Sequence, residues 1–161
     1  MLNLKALATA LLIAALSGLS FSASAQLADK KVLTLEAAKK LAAAAEAEAT
    51  KNKWTVVITI VDEGGHPIYL QRIDGTQTGS IDVALRKATT AVGFKRSTKV
   101  FEDAIAGGRN AIIALGALPL EGGLPLIVGG QVIGAIGVSG ASSQQDGQVA
   151  KAGADALTDM K

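Results

Sequence analysis

The segment from Gly122 to Asp146, GGLPLIVGGQVIGAIGVSGASSQQD, constrains the fold of this chain more than any other. Leu124 to Val128 and Val132 to Val138 are short runs rich in β-branched residues, separated by Gly129, Gly130 and Gln131. Glycine takes positive φ at little cost, so two apolar runs around a Gly-Gly pair read as an antiparallel hairpin. Ser139 and Gly140 stop the second strand. Ser143, with Asp146 three residues on, has the spacing of a capping box for a last helix carrying Val149, Ala152, Ala156 and Leu157.

The segments before it supply the rest of a domain. Thr34 caps a first amphipathic helix on which Leu35, Ala38, Leu41, Ala42, Ala45 and Ala49 recur at helical spacing up to Lys51. Trp54 to Val61 reads as a central strand, turned back by Asp62-Glu63-Gly64-Gly65-His66-Pro67 onto Ile68 to Ile73. Ser80 caps a second helix with Ile81, Ala84, Leu85, Ala88 and Val92 on its apolar face and Arg86 and Lys87 outside it. Ser97 or Thr98 caps a short third helix with Phe101, Ala104 and Ile105, and Ala111 to Leu118 is open between a strand and a buried turn. Helix, hairpin, two helices, hairpin, helix predicts an antiparallel sheet with helices packed on it, an α/β (α+β) arrangement. A doubly wound parallel sheet does not fit, since strands joined by tight turns run antiparallel.

Residues 1 to 25 are read as removable before folding. Lys5 gives a positive n-region, Ala6 to Phe21 an apolar run and Ala23-Ser24-Ala25 a small-residue cleavage site, the pattern of a secretory signal peptide. The expectation is export to a periplasm or beyond, with residues 26 to 161 as a single domain. The formal net charge is +2, of which Lys5 accounts for one, so nucleic acid and an acidic membrane are not indicated as partners. The chain has no cysteine. An exported domain of this kind holds together by burial alone, without disulfides, thiolate metal sites or thiol catalysis, and oligomerisation would add to that burial.

Several residues can carry chemistry. Arg72 emerges at a strand end beside Asp74-Gly75, either as a carboxylate clamp or as half of a surface ion pair with Asp74. His66 is the sole histidine, and it is either a turn residue or a ligand, imidazole being the common protein ligand of haem iron. Tyr69, Met160 and the lysines are poorer ligands. A two-His, one-carboxylate metal centre within one subunit is excluded by the count. Lys87, with Thr89 and Thr90, either binds an anion in a cavity or is a solvated lysine. Gly134 to Gly140 repeats glycine at spacings of three, but inside a strand rather than between a strand and a helix, so a dinucleotide site is rejected in favour of close backbone approach. Ser139 lacks a nucleophile elbow, which argues against serine catalysis.

Taken together, these segments resemble the GlcG/HbpS-like family, also described as haem-degrading-domain-like and related to the C-terminal part of PduO. The matching stretches are Leu33 to Ala38, Val61-Asp62 through the glycine turn to Arg72-Ile73-Asp74-Gly75, and Ser80 with Ala84 and Lys87 to Ala91. Gly122 to Pro125, Gly134 to Gly140 and Asp146 complete the match over about residues 33 to 157. The resemblance implies a profilin-like fold with an antiparallel sheet of about five strands, assembly into homo-oligomers and, for several members, haem binding. The leading expectation is an exported haem-binding protein with His66 or Tyr69 near iron and Arg72, Lys87 or Arg109 pairing with propionates. The alternative is an enzyme or carrier for an organic acid, with Arg72 and Lys87 as anion anchors and Asp62, Asp74 or Asp146 as general base. A structural or partner-sensing role is the third.

Overall fold

A computed structural model describes residues 28–159. The expected leader, residues 1 to 25, lies outside them. By contacts the chain divides into residues 1–30 and residues 31–161, and the fold below is that of the second unit. Helix α1, Leu35–Lys51, starts where its cap predicts: the Thr34 hydroxyl accepts the Ala37 amide at 3.2 Å, satisfying one of the helix's orphan donors. Ala38, Leu41, Ala42, Ala45 and Ala49 form its buried stripe. Strand β1, Val57–Asp62, is buried from Val57 to Val61 because it has neighbours on both sides.

Strand β2, Pro67–Arg72, returns along β1 with a bulge near Ile60 and Val61. After it come α2, Ser80–Phe94, and α3, Lys99–Ala106, then a 3-10 turn, Asn110–Leu115. Strands β3, Gly123–Val128, and β4, Gln131–Ser139, form the second hairpin, and α4, Ser143–Asp155, closes the domain before a last 3-10 turn, Ala156–Asp159. The sheet order is β2-β1-β4-β3, antiparallel throughout. This bears out the antiparallel expectation with four strands instead of about five.

Strand alternation sends successive side chains to opposite faces. Ile58, Ile60, Ile136 and Val138 meet α1 and α4, with Leu41, Val149 and Ala150 in the same core. Val61 and Ala135 face α2 through Ala88, Ala91 and Val92. Each Ile, Leu or Val side chain so buried contributes about 1.5–3 kcal/mol. Gly137 marks the closest approach of helix to sheet: a Cβ there would run into the Ala84 carbonyl and lie 2.6 Å from the Ala88 nitrogen. The glycines of β4 therefore serve helix packing, as their place within a strand predicts.

Three expectations change. Ala111 to Leu118 is neither strand nor buried turn: most of it is the 3-10 turn, with Ile113 and Leu115 exposed. The capping box belongs to Ser142 and Gln145, one residue earlier than read, since that phase turns Asp146 inward. Ser80 is the first residue of α2, with Gly79 at the cap position, and its buried hydroxyl accepts from Ser139 at 3.4 Å. No helix among the described residues is long and apolar enough to cross a membrane.

Candidate functional site

Buried polar chemistry concentrates where α2, α4 and the entry to β3 meet. Lys87 Nζ donates to Asp146 Oδ2 at 2.7 Å, and the two side chains are 2% and 3% exposed. Asp146 Oδ1 accepts the Ala141 amide at 3.0 Å. Burial pushes the Asp146 carboxyl above its usual range, while Lys87 and the Ala141 and Gly140 amides pull the other way. A lysine is so deeply buried only when paired. Lys87 is thus neither a solvated side chain nor, in this arrangement, open to a ligand.

Its orientation follows from the helix. Ser80, Ala84, Lys87, Ala88, Thr90, Ala91 and Val92 are buried: Ala84, Ala88 and Val92 hold the face read from the sequence, but Lys87 and Ala91 join it while Leu85 is only half-buried and Ile81 is left 37% exposed. Small neighbours on that face let the strap 118–123 lie across the lysine. Gly122 has φ 122°, and a Cβ there would stand 2.9 Å from both Lys87 Nζ and Asp146 Cβ. The Gly123 amide donates to the Thr98 hydroxyl at 2.9 Å, and the Thr98 amide donates to the Gly123 carbonyl at 3.0 Å. The Leu118 amide donates to Thr90 Oγ1, and the Glu121 amide donates to the Glu102 carboxylate.

Glu121 joins this cluster from the strap. Its carboxylate lies against Gly147 of α4 and 4.0 Å from Lys99, and burial raises its pKa, with Glu102 and Asp103 adding to the rise and Lys99 and Lys87 opposing it. Sequence reasoning passed over Glu121, which carries no motif, and read Thr98 only as a helix cap, not as the partner of Gly123. It also passed over Thr59, whose buried hydroxyl has no hydrogen-bond partner among the described residues.

The other singled-out residues lie elsewhere. His66 sits at the β1–β2 turn with its side chain 82% exposed and Nδ1 3.4 Å from Asp62 Oδ1, which also accepts the Gly64 and His66 amides at 2.8 Å. These amides, the His66 one foremost, hold the Asp62 carboxyl below its usual range, which makes it a weak base. Arg72 is exposed at the far end of β2, and among the described residues no ion pair joins it to Asp74. Cross-strand register places Leu70 and Arg72 on the α2 side of β2 and Tyr69 on the α1 side, where it packs on the core and donates to Gln71 at 3.1 Å. Arg109 follows α3, which is tied to the β3 edge through Thr98, whereas His66 and Arg72 flank the β2 edge. The fold therefore puts Leu70 and Arg72 on one face of β2, with His66 in the turn before it, and separates them from Lys87 and Arg109. Among the described residues no group of three or more metal-ligating side chains of the His, Cys, Asp or Glu type occurs.

A family model described as "HbpS-like: Haem degrading protein HbpS-like" matches residues 33–155, from the approach to α1 through the end of α4. The chain belongs to this HbpS-like family. Protein GlcG of Escherichia coli K12 is 43% identical over 111 residues, covering 68% of this chain and 83% of GlcG. The crystal structure of a double mutant of Streptomyces reticuli HbpS is 37% identical with a TM-score of 0.74, over 84% of this chain and 94% of that one. The crystal structure of a PduOC:heme complex is 29% identical with a TM-score of 0.72, over 78% of this chain and 95% of that one. Residues 33–155 include the Lys87–Asp146 pair and the whole β2 edge, so both belong to the part of the chain shared with the family.

Proposed function

We propose that this chain is an exported, homo-oligomeric haem-binding protein whose ligand lies near a subunit interface. The single observation that carries the haem reading is its likeness, over nearly the whole of the second chain, to a protein crystallised with haem. The β2 edge fits such a ligand. His66 offers an exposed imidazole at one end, Arg72 an exposed guanidinium at the other, and Leu70, 40% exposed, an apolar surface between them. Haem, when bound, supplies the iron chemistry; the chain's own part is a neutral nitrogen ligand, an apolar contact and a charge-assisted pair.

Export is supported by the charged, apolar and Ala-Ser-Ala succession of residues 1 to 25. Homo-oligomerisation is supported by the family resemblance and by a cysteine-free chain that leaves Leu70, Ile113, Leu115 and Ile127 exposed. The organic-acid reading finds less support, because Lys87 and Asp146 consume each other's charge in the interior and Asp62 is held ionised by its turn.

Titration of haemin into the purified protein tests the proposal. A Soret shift is expected, altered or lost in His66→Ala, with affinity in Arg72→Ala lower by roughly tenfold, the value of one charge-assisted contact. Absence of any shift in the parent protein removes haem binding; a shift indifferent to His66→Ala removes the ligand assignment.

A further inference from the structure

The two edges of the sheet are unequal. On β3 the main-chain groups of Gly123 point away from β4 and are taken by Thr98, and the next outward residue, Pro125, has no N–H to offer. Only Ile127 remains there. On β2 the Ile73 amide donates to the Val56 carbonyl at 3.0 Å, and the Asp62 amide donates to the His66 carbonyl at 2.9 Å. Alternation then turns Gln71 and Tyr69 toward β1 and leaves the N–H and C=O of Leu70 and Arg72 pointing outward, with no partner among the described residues. The Leu70 side chain stands exposed above this opening.

We infer that the β2 edge is a self-pairing surface, at which two copies of this chain join antiparallel about a two-fold axis at Leu70 to make one continuous sheet. The occupant follows from the sequence of the edge. An antiparallel strand centred on Leu70 is complementary to itself, as a two-fold interface requires. In that register the two Leu70 residues exchange both main-chain hydrogen bonds and set their side chains side by side on one face of the joined sheet. Tyr69 comes opposite Gln71 and Ile68 opposite Arg72, so the two arginines stand about 14 Å apart along the strands. The Asp74 loop of one copy is brought toward the His66 turn of the other, so that acid faces imidazole. Pro67 and the bulge end the pairing on one side, confining it to a short stretch.

This inference rests on the homo-oligomer half of the function proposed above and names its surface, which includes Leu70, the apolar contact of the haem half. The test uses protein recovered from an exporting host. Sedimentation is expected to show a dimer or a larger even assembly. Leu70→Cys is expected to give a disulfide-linked dimer on oxidation, read without ambiguity because the chain has no other cysteine. The Cα separation of a hydrogen-bonded antiparallel pair, about 5.5 Å, suits that bond. Leu70→Pro removes the outward N–H and no bond of the protein's own ladder, and is expected to weaken association roughly 30-fold, two hydrogen bonds being lost across the axis. Leu70→Lys is the second variant, adding charge at the same place, and circular dichroism with urea unfolding shows that each variant is folded. A parent protein that stays monomeric, or an assembly untouched by Leu70→Pro and Leu70→Lys with no cross-link through Leu70→Cys, overturns the inference. Haemin titration of the same samples separates the two proposals: a dimer that ignores haemin counts against haem alone, and a haem-binding monomer against the pairing alone.

Discussion

Lys87 and Asp146, 2.7 Å apart and almost wholly out of water, have exchanged hydration for each other. Such a pair adds little net stability over a well-packed apolar substitute, but removing one member strands a charge in the interior, at about 3–5 kcal/mol. Lys87→Met, which preserves much of the side-chain volume, is therefore expected to lower unfolding stability by about that amount. Adding Asp146→Asn is expected to recover most of the loss, since a neutral amide oxygen still accepts from Ala141 and no longer needs a cation. Urea denaturation of the single and double variants checks this; a double variant as unstable as the single one would show that the stranded charge is not the cause. The lysine was visible in the sequence as a candidate, but its direction was not. A helical face read from apolar residues alone leaves a charged residue outside it, although Lys87 lies on the buried side with Ala84, Ala88 and Ala91.

Among the elements, glycine positions separate packing from propensity. Gly93 lies in the last turns of α2, where an added methyl group would find nothing within 4 Å, so Gly93→Ala is expected to stabilise by about 0.5–1 kcal/mol through helix propensity. Gly137 sits beneath the same helix, where a methyl group meets the backbone of Ala84 and Ala88. Gly137→Ala is expected to push α2 off the sheet and cost several kcal/mol, on the order of an overpacked core. Thermal unfolding of the two variants decides the matter, and equal shifts would contradict the close approach. Both predictions draw on an order of elements that the sequence already carried. Thr34 with its alanine stripe marked α1, and the runs around Gly129-Gly130 marked the second hairpin, because local chemistry determines both. The 3-10 turn was ambiguous because its apolar residues stay exposed, and the capping box slipped because Ser142 and Ser143 both have an acceptor three residues on. The Thr98–Gly123 and Lys87–Asp146 contacts join residues 25 and 59 apart in the chain, a separation at which no periodicity speaks. The β2 edge was half legible, in that His66 and Arg72 were named but the face that Arg72 shares with Leu70 needed the register.

Across the whole molecule, carboxylates shifted in opposite directions set the response to pH. Asp62 has its pKa lowered from 3.8 by the His66 and Gly64 amides, so its contribution is present above 3.8 and is lost as pH falls through the folded value. Glu121 has its pKa raised from 4.5 by burial beside Glu102 and Asp103, which reverses the sign: its proton is held more tightly folded than unfolded. That contribution is complete below 4.5 and fades as pH rises through the folded value. Asp146 has its pKa raised from 3.8 by burial too, but its protonation would leave Lys87 unpaired in the interior, so it does not act as Glu121 does. Stability is therefore expected to be greatest on the acid side of neutrality, above the range in which Asp62 titrates, and to decline toward neutral pH as the strap at 118–123 takes on a buried charge. Glu121→Gln carries no proton to lose, so its urea midpoint is expected to vary less than that of the parent between pH 4.5 and neutrality. The variant is also expected to be the more stable of the two at neutral pH, because the desolvated charge is gone while Lys99 keeps Asp103 as its partner at 2.6 Å. Parallel midpoint profiles for the two proteins would mean that Glu121 titrates alike folded and unfolded.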